Sequence, residues 1–121
     1  AEVTIFGAFG GRLDHMLSNV FLASDPELAP FMSRICLRDK PNKVTYCPEG
    51  KHDIFPEPGM TYVSFLQEGT GELTILGAKY ELTDRNYFQK KNYSSNEFLD
   101  GPIHVVVPNG YVIVIQTKDR S

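Results

Sequence analysis

Hydrophobic and polar positions divide the chain into a short beginning of α/β character and a longer β-rich remainder. Residues 3–6 form a short β-prone run, and the glycine-rich stretch 7–11 follows it. Apolar residues then recur at spacings of three and four, which is typical of one face of an amphipathic helix; they are Leu13, Met16, Leu17, Val20 and Phe21. This order of strand, loop and helix predicts that residues 1–33 are the C-terminal remnant of an α/β domain. Because a lone strand leaves its backbone groups unpaired, we expect the rest of that domain to precede Ala1.

From Arg34 onward the pattern changes to a series of short β-prone runs. Pro, Gly, Asn and Asp separate these runs at intervals of about 8–12 residues, which is typical of a sandwich or a barrel. The candidate strands are 34–38, 43–47, 51–55, 61–67, 72–76, 79–82, 86–90, 103–107 and 111–117. We therefore predict a mainly β fold, in which an antiparallel β-sandwich over residues 34–121 follows the strand-loop-helix remnant.

The clearest predicted hairpin joins 103–107 to 111–117 through Pro108-Asn109-Gly110. The Asn-Gly pair favours it because tight hairpin turns require positive φ angles. Both arms are apolar without alternation, so we expect both of their faces to be covered, one of them by the opposing sheet. The sequence does not identify what packs against the other face, and a second subunit is one candidate.

A second predicted hairpin turns at Pro41-Asn42 and places Cys36 opposite Cys47. Two cysteines without a CxxC pair, and without a histidine at ligand spacing, indicate neither a zinc site nor a disulfide-rich secreted scaffold. Two reduced, buried thiols are favoured over a bridge between them.

Composition excludes several classes of protein. With 121 residues, of which 41% are hydrophobic and 22% charged, the chain has enough apolar mass for one folded domain and too much for a disordered tail. Twelve basic and fifteen acidic residues give a net charge of −3, and no Lys/Arg cluster favours nucleic acid as a partner. No apolar run approaches the roughly 20 residues of a membrane span, and the first residues lack a secretory signal, so we predict a cytoplasmic protein without a membrane partner.

The segment 7–15 has the residue types of an anion site. Glycines between a strand and a helix let backbone N–H groups approach an anion, the helix start adds partial positive charge, and Arg12 adds a planar charged fork. Asp14 is a carboxylate within reach of the same place, suited to holding Mg²⁺ or to accepting a proton from a hydroxyl. The alternative is a glycine turn used for geometry alone, with Asp14 stabilising the helix through its dipole. The spacing matches neither GxGxxG nor GxxxxGK[ST].

A second polar cluster is Tyr93-Ser94-Ser95-Asn96-Glu97. Ser and Asn side chains offer donors and acceptors that fit the edge of a heteroaromatic ring, although the same residues also form turns by bonding to their own backbone. Tyr80 is a candidate stacking platform for such a ring, or alternatively a core aromatic in a strand.

Taken together, these segments resemble the thiamine pyrophosphokinase family, whose members transfer diphosphate from ATP to thiamine. The motifs follow the order and spacing of that family along nearly the whole chain. They are Gly7-Ala8-Phe9-Gly10-Gly11-Arg12-Leu13-Asp14-His15, Tyr62-Val63-Ser64-Phe65, Gly77-Ala78-Lys79-Tyr80-Glu81-Leu82, Ser94-Ser95-Asn96-Glu97 and Gly110-Tyr111-Val112-Ile113-Val114-Ile115.

The resemblance implies an N-terminal α/β domain, a C-terminal β-sandwich, and an active site shared between the domains of a homodimer. It assigns residues 1–33 to the end of the ATP-binding α/β domain and 34–121 to the thiamine-binding sandwich. The acidic motifs that hold Mg²⁺ and ATP in the family are absent from this sequence, so we expect the isolated chain to be inactive.

The resemblance also implies roles for the candidate residues. Thiamine's hydroxyl attacks the β-phosphorus of ATP and AMP leaves, with Arg12 and Mg²⁺ neutralising charge and Asp14 orienting the hydroxyl or joining the metal site. The implied contacts to the ATP phosphates are Gly10, Gly11, Arg12 and His15. The implied contacts to thiamine are Tyr80, Ser94, Ser95 and Asn96.

The sequence is also compatible with two other classes of function. The chain is alternatively a non-catalytic module that binds thiamine and dimerises, or a structural β-sandwich with a glycine turn that serves geometry alone.

Overall fold

A computed structural model describes residues 3–6, 18, 20–21, 24–82 and 92–118 of the chain. The elements bounded in this part are a 3₁₀ helix, Ala29–Arg34, and seven β-strands. The strands are β1 (Val3–Phe6), β2 (Ile35–Arg38), β3 (Asn42–Ile54), β4 (Tyr62–Glu68), β5 (Thr74–Leu76), β6 (Asn92–Glu97) and β7 (Ile103–Thr117). The predicted mainly β fold class is confirmed. Among the residues described, we find no helix with the length and apolar character that crossing a bilayer requires.

The strands form one mixed sheet in the order β1-β2-β3-β7-β4-β6, and β5 pairs with β7 off this path. β1 runs parallel to β2, and the other pairs are antiparallel. β1 therefore belongs to the same sheet as the β-rich remainder. The predicted domain boundary between residues 33 and 34 stays a prediction.

The predicted hairpin over residues 103–117 is wrong, because β7 continues as one strand through Pro108 and Gly110. Both of its halves pair with β3, on either side of a register shift between Pro48 and Gly50. A proline without an N–H and a glycine with a φ of 71° suit a bulge in a long strand as well as they suit a hairpin turn. The two predicted strands 43–47 and 51–55 likewise form one continuous strand, β3, which contains the register shift between Pro48 and Gly50.

The bulge lets β7 serve two partners on its other edge. Residues 104–106 pair with β5, whereas residues 111–117 pair with β4. At the bulge Gly110 packs so closely against β4 that an added Cβ would lie 2.1 Å from the carbonyl oxygen of Glu68. A side chain at position 110 is therefore excluded both by the positive φ and by this contact.

Buried apolar residues form two clusters, and residue alternation along β7 assigns them to opposite faces of the sheet. Val112 and Val114 belong to the first cluster, and Ile113 between them belongs to the second. The second cluster includes Met32 from the 3₁₀ helix and Val20. Both faces of β7 are thus buried, as predicted. On the face of the second cluster, residues 20 and 32 of the same chain contribute to the packing.

The two cysteines are buried and no disulfide joins them, which confirms the prediction of reduced thiols. The predicted register is wrong: Leu37 pairs with Val44 and Arg38 pairs with Lys43, a register that does not set Cys36 opposite Cys47. The reason is a tight turn between β2 and β3, in which the backbone N–H of Asn42 donates to Oδ1 of Asp39 over 2.9 Å.

Candidate functional site

The residues predicted to bind phosphate lie outside the described residues. They are Gly10, Gly11, Arg12, Asp14 and His15. Their predicted roles, including the Mg²⁺ site at Asp14, therefore stay predictions. Within the described ranges, no group of three or more His, Cys, Asp or Glu side chains is arranged to hold a metal ion.

The residues predicted to bind the heterocycle are described, and the structure brings two of them into direct contact. Asn96 lies in β6 and is 4% exposed. Its Oδ1 accepts a hydrogen bond from the backbone N–H of Tyr80 over 3.0 Å, and its Nδ2 donates to the carbonyl oxygen of Tyr80 over 2.9 Å. Tyr80 as a residue is 60% exposed, so it is not a core aromatic. Asn96 therefore holds the backbone that presents this ring to solvent.

Residues 76–81, which run from the last residue of β5 through Tyr80, form a closed loop rather than the strand predicted at 79–82. Ile75 and Leu82 close its base through two backbone hydrogen bonds of 2.8 and 3.0 Å. Within the loop Gly77 has a φ of 84°, and its N–H donates to Oε2 of Glu81 over 2.7 Å. These contacts restrict the backbone on both sides of Tyr80.

Lys79 and Glu97 attach the same loop to β6. The backbone N–H of Lys79 donates to the carbonyl oxygen of Glu97 over 2.9 Å, and its Nζ lies 3.1 Å from Oε2 of Glu97. The hydrogen bond to Glu97 raises the pKa of Lys79. Nζ also lies 5.5 Å from the centroid of the Tyr80 ring, within the range of a cation–π contact. The exposed ring is thus flanked by a positive charge.

Ser94 and Ser95 are exposed and lie in a β-bulge of β6. Asn96 pairs with Val63 and Tyr93 pairs with Phe65, so the two serines share one position of the neighbouring strand. The segment is therefore a bulged strand and not the turn that we considered as an alternative. Bulges commonly re-aim side chains beside functional sites.

The site thus consists of three exposed residues, Tyr80 in loop 76–81 and Ser94 and Ser95 in β6. Asn96 connects the two parts. Such an arrangement can stack a planar heterocycle and satisfy the polar atoms on its edge. The sequence did not assign a role to Lys79 or Glu97, because their contact spans 18 positions and no local pattern indicates it.

A separate polar cluster surrounds Glu57 and includes residues of β2, β3 and β7. Phe6, the last residue of β1, pairs with Arg38. The carboxylate of Glu57 accepts from Arg38 and, over 3.1 Å, from Nζ of Lys43. Its backbone N–H donates to Oε1 of the buried Gln116 over 2.8 Å. The hydrogen bond from Arg38, with that from Lys43, holds the pKa of Glu57 below its usual range despite partial burial.

Comparison with protein families gives one match that covers about half of the chain. A family model described as "Thiamin pyrophosphokinase, vitamin B1 binding domain" matches residues 51–112. This range includes loop 76–81 and β6. Among curated proteins, thiamine pyrophosphokinase of Bacillus subtilis strain 168 is 32% identical over 120 residues. The match covers 97% of this chain and 55% of the relative, so the chain spans about half the length of that protein.

Solved structures are also similar to this chain. A thiamin pyrophosphokinase family protein from Enterococcus faecalis is similar with a TM-score of 0.91 and 34% identity, covering 99% of this chain and 57% of that one. A protein from Lactobacillus plantarum is similar with a TM-score of 0.90 and 35% identity, covering 98% and 55% respectively. The similarity extends over nearly the whole of this chain in both cases.

Proposed function

The chain belongs to the family of the thiamin pyrophosphokinase vitamin B1 binding domain, and on this basis we propose that it is the thiamine-binding portion of a thiamine pyrophosphokinase. In this proposal the whole enzyme transfers diphosphate from ATP to the hydroxyl of thiamine and releases AMP. The observation that carries it is the family match over residues 51–112, within which the buried side chain of Asn96 holds the backbone of the exposed residue Tyr80.

On the thiamine side, the proposal gives each described residue a physical task. Tyr80 forms a wall against the aminopyrimidine, and the hydroxyls of Ser94 and Ser95 pair with its ring nitrogens and amino group. Asn96 holds the backbone of Tyr80, and we assign its second amide hydrogen to the aminopyrimidine. The support for these tasks is the exposure of the ring and hydroxyls and the burial of Asn96.

On the phosphate side, the proposal rests on the sequence pattern. Gly10, Gly11, Arg12 and His15 would bind the phosphates of ATP, and Asp14 would orient the attacking hydroxyl or hold Mg²⁺. Mg²⁺ supplies neutralisation of phosphate charge when it is bound. We further propose that the enzyme is a cytoplasmic homodimer.

Thiamine binding is tested by isothermal titration calorimetry on the 121-residue chain and its Tyr80→Ala variant. Loss of a stacking wall should weaken binding by about 0.5–1.5 kcal/mol, which is roughly two- to tenfold in Kd. The matched control is Phe55→Ala, since Phe55 is also a highly exposed aromatic, at 66%, but lies outside loop 76–81 and β6. A wild-type chain that binds no thiamine would refute the proposal.

A second candidate is the same thiamine-binding module without chemistry, and the coverage of 55% of the Bacillus subtilis relative favours it for this chain alone. The chain is incubated with ATP, Mg²⁺ and thiamine, with that full-length relative as positive control. Thiamine binding without AMP release supports the module, whereas diphosphate transfer supports a complete site. Light scattering on the same sample tests the proposed homodimer.

A further inference from the structure

The backbone of β6 adopts an unusual conformation at the serine pair. Ser95 has a φ of 60° and is the one non-glycine residue in the described ranges with a positive φ. Left-handed backbone is unfavourable for residues that carry a Cβ, and it persists where the surroundings impose it. Some neighbouring contact must therefore hold Ser95 in this conformation.

That contact comes from the adjacent strand. The bulge sets Ser94 and Ser95 opposite a single residue of β4, Ser64, because Val63 pairs with Asn96 and Phe65 pairs with Tyr93. A bulge leaves an N–H without its partner in the strand ladder. Here the backbone N–H of Ser95 donates to the side-chain Oγ of Ser64 over 3.2 Å.

Ser64 is itself rigidly placed. Its neighbours Val63 and Phe65 are fully buried in the first core cluster, so the side chain of Ser64 points to the opposite face of the sheet. On its other edge Ser64 pairs with Ile115 of β7. The hydroxyl that receives the N–H of Ser95 is thus anchored by the centre of the sheet.

We propose that Ser64 is a positioning residue for the thiamine site, whose hydroxyl fixes the left-handed backbone of Ser95 and thereby aims the hydroxyls of Ser94 and Ser95. This inference rests on the proposed function. It adds to the site a residue that makes no contact with thiamine and acts through the bulge.

The test compares Ser64→Ala with Ser64→Thr in the 121-residue chain. Calorimetric titration with thiamine should show Kd raised about three- to tenfold in Ser64→Ala, the equivalent of one hydrogen bond, and restored towards wild type in Ser64→Thr. In NMR spectra of the unliganded chain, the Ser95 amide should exchange with solvent faster in Ser64→Ala alone. Thr74→Val is the control, because it removes a hydroxyl from another strand of the sheet, β5.

The outcomes separate this inference from the function on which it rests. A wild-type chain that binds no thiamine overturns the proposed function and the inference with it. A wild-type chain that binds thiamine, with Ser64→Ala binding equally tightly, overturns the inference alone. Unchanged exchange of the Ser95 amide in Ser64→Ala also overturns it, since the hydroxyl then does not hold that N–H. Equal weakening in Thr74→Val would indicate a general effect on the sheet and would count against it as well.

Discussion

The side chain of Asn96 binds the backbone of Tyr80 at both of its polar groups, accepting from the N–H and donating to the carbonyl oxygen. The same Oδ1 also accepts from the N–H of Glu97 over 2.9 Å. A buried amide with three such contacts fixes the loop that carries an exposed ring. Asn96 should therefore contribute to ligand binding in two ways, through the placement of Tyr80 and through the proposed contact of its second amide hydrogen.

This relationship predicts non-additive effects on thiamine binding. Asn96→Ala and Tyr80→Ala should each weaken binding, and the double variant should bind about as tightly as the weaker single variant. Calorimetric titration of the four proteins measures the coupling. Fully additive losses would mean that Asn96 acts on thiamine independently of Tyr80.

Asn96→Ala should also destabilise the chain, because it leaves two N–H groups and a carbonyl oxygen without their partner. We expect a loss of about 1–3 kcal/mol in the free energy of unfolding, measured by urea denaturation. Tyr80→Ala is the control, since its ring is largely exposed and its backbone contacts remain. An equal loss in both variants would contradict the role of the amide.

The contacts of Glu57 predict a dependence of stability on pH. Its pKa is lowered in the folded chain, so its contribution is complete above the unfolded value of about 4.3 and disappears as pH falls through the folded value. Glu57→Gln should lower the free energy of unfolding by about 1–3 kcal/mol at pH 7 and flatten its fall below about pH 5. Urea denaturation at a series of pH values between pH 3 and pH 7 measures the free energy of unfolding of both proteins.

The control for Glu57 is Glu72→Gln, which changes an exposed carboxylate elsewhere in the chain. Glu72→Gln should leave the pH dependence of the free energy of unfolding close to that of the wild-type chain. If Glu57→Gln and wild type lose stability in parallel on acidification, the contacts from Arg38 and Lys43 do not stabilise the fold.

Gly110 should tolerate no side chain. In Gly110→Ala, alanine must adopt a positive φ, which is unfavourable for a residue with a Cβ, and its Cβ clashes with the carbonyl oxygen of Glu68. We therefore expect the free energy of unfolding to fall by about 2–3 kcal/mol. Gly101→Ala is the matched control, because a Cβ there meets nothing within 4 Å. Equal stability of the two variants would argue against the continuous strand β7.

Cys47 should react slowly with thiol reagents while the chain is folded. Burial raises its pKa to about 12, which leaves a thiolate fraction of about one in 10⁴ at pH 8. Iodoacetamide labelling followed by mass spectrometry should show little modification of Cys47 until urea unfolds the chain. Rapid labelling in the native state would contradict its burial in the core.

The local pattern of hydrophobic and polar residues was sufficient to predict a strand where burial alternates along the chain or where a run is uniformly apolar. The strand predicted at 61–67 is observed as Tyr62–Glu68, with Val63 and Phe65 buried as the period of two requires. The mainly β class and the covered faces of β7 follow from the same reasoning. Residue type alone also drew attention to Tyr80 and to residues 93–97, and their contacts with a ligand stay a prediction.

The sequence alone determined which segments are β-prone, which faces are apolar and which polar residues stand out from that pattern. Only the tertiary structure decided that Pro108 and Gly110 bend one strand, since the same backbone angles serve a turn or a bulge and pairing with β3 selects between them. It also decided that Asn96 holds Tyr80, because a hydrogen bond across 16 positions depends on strand register and leaves no local trace.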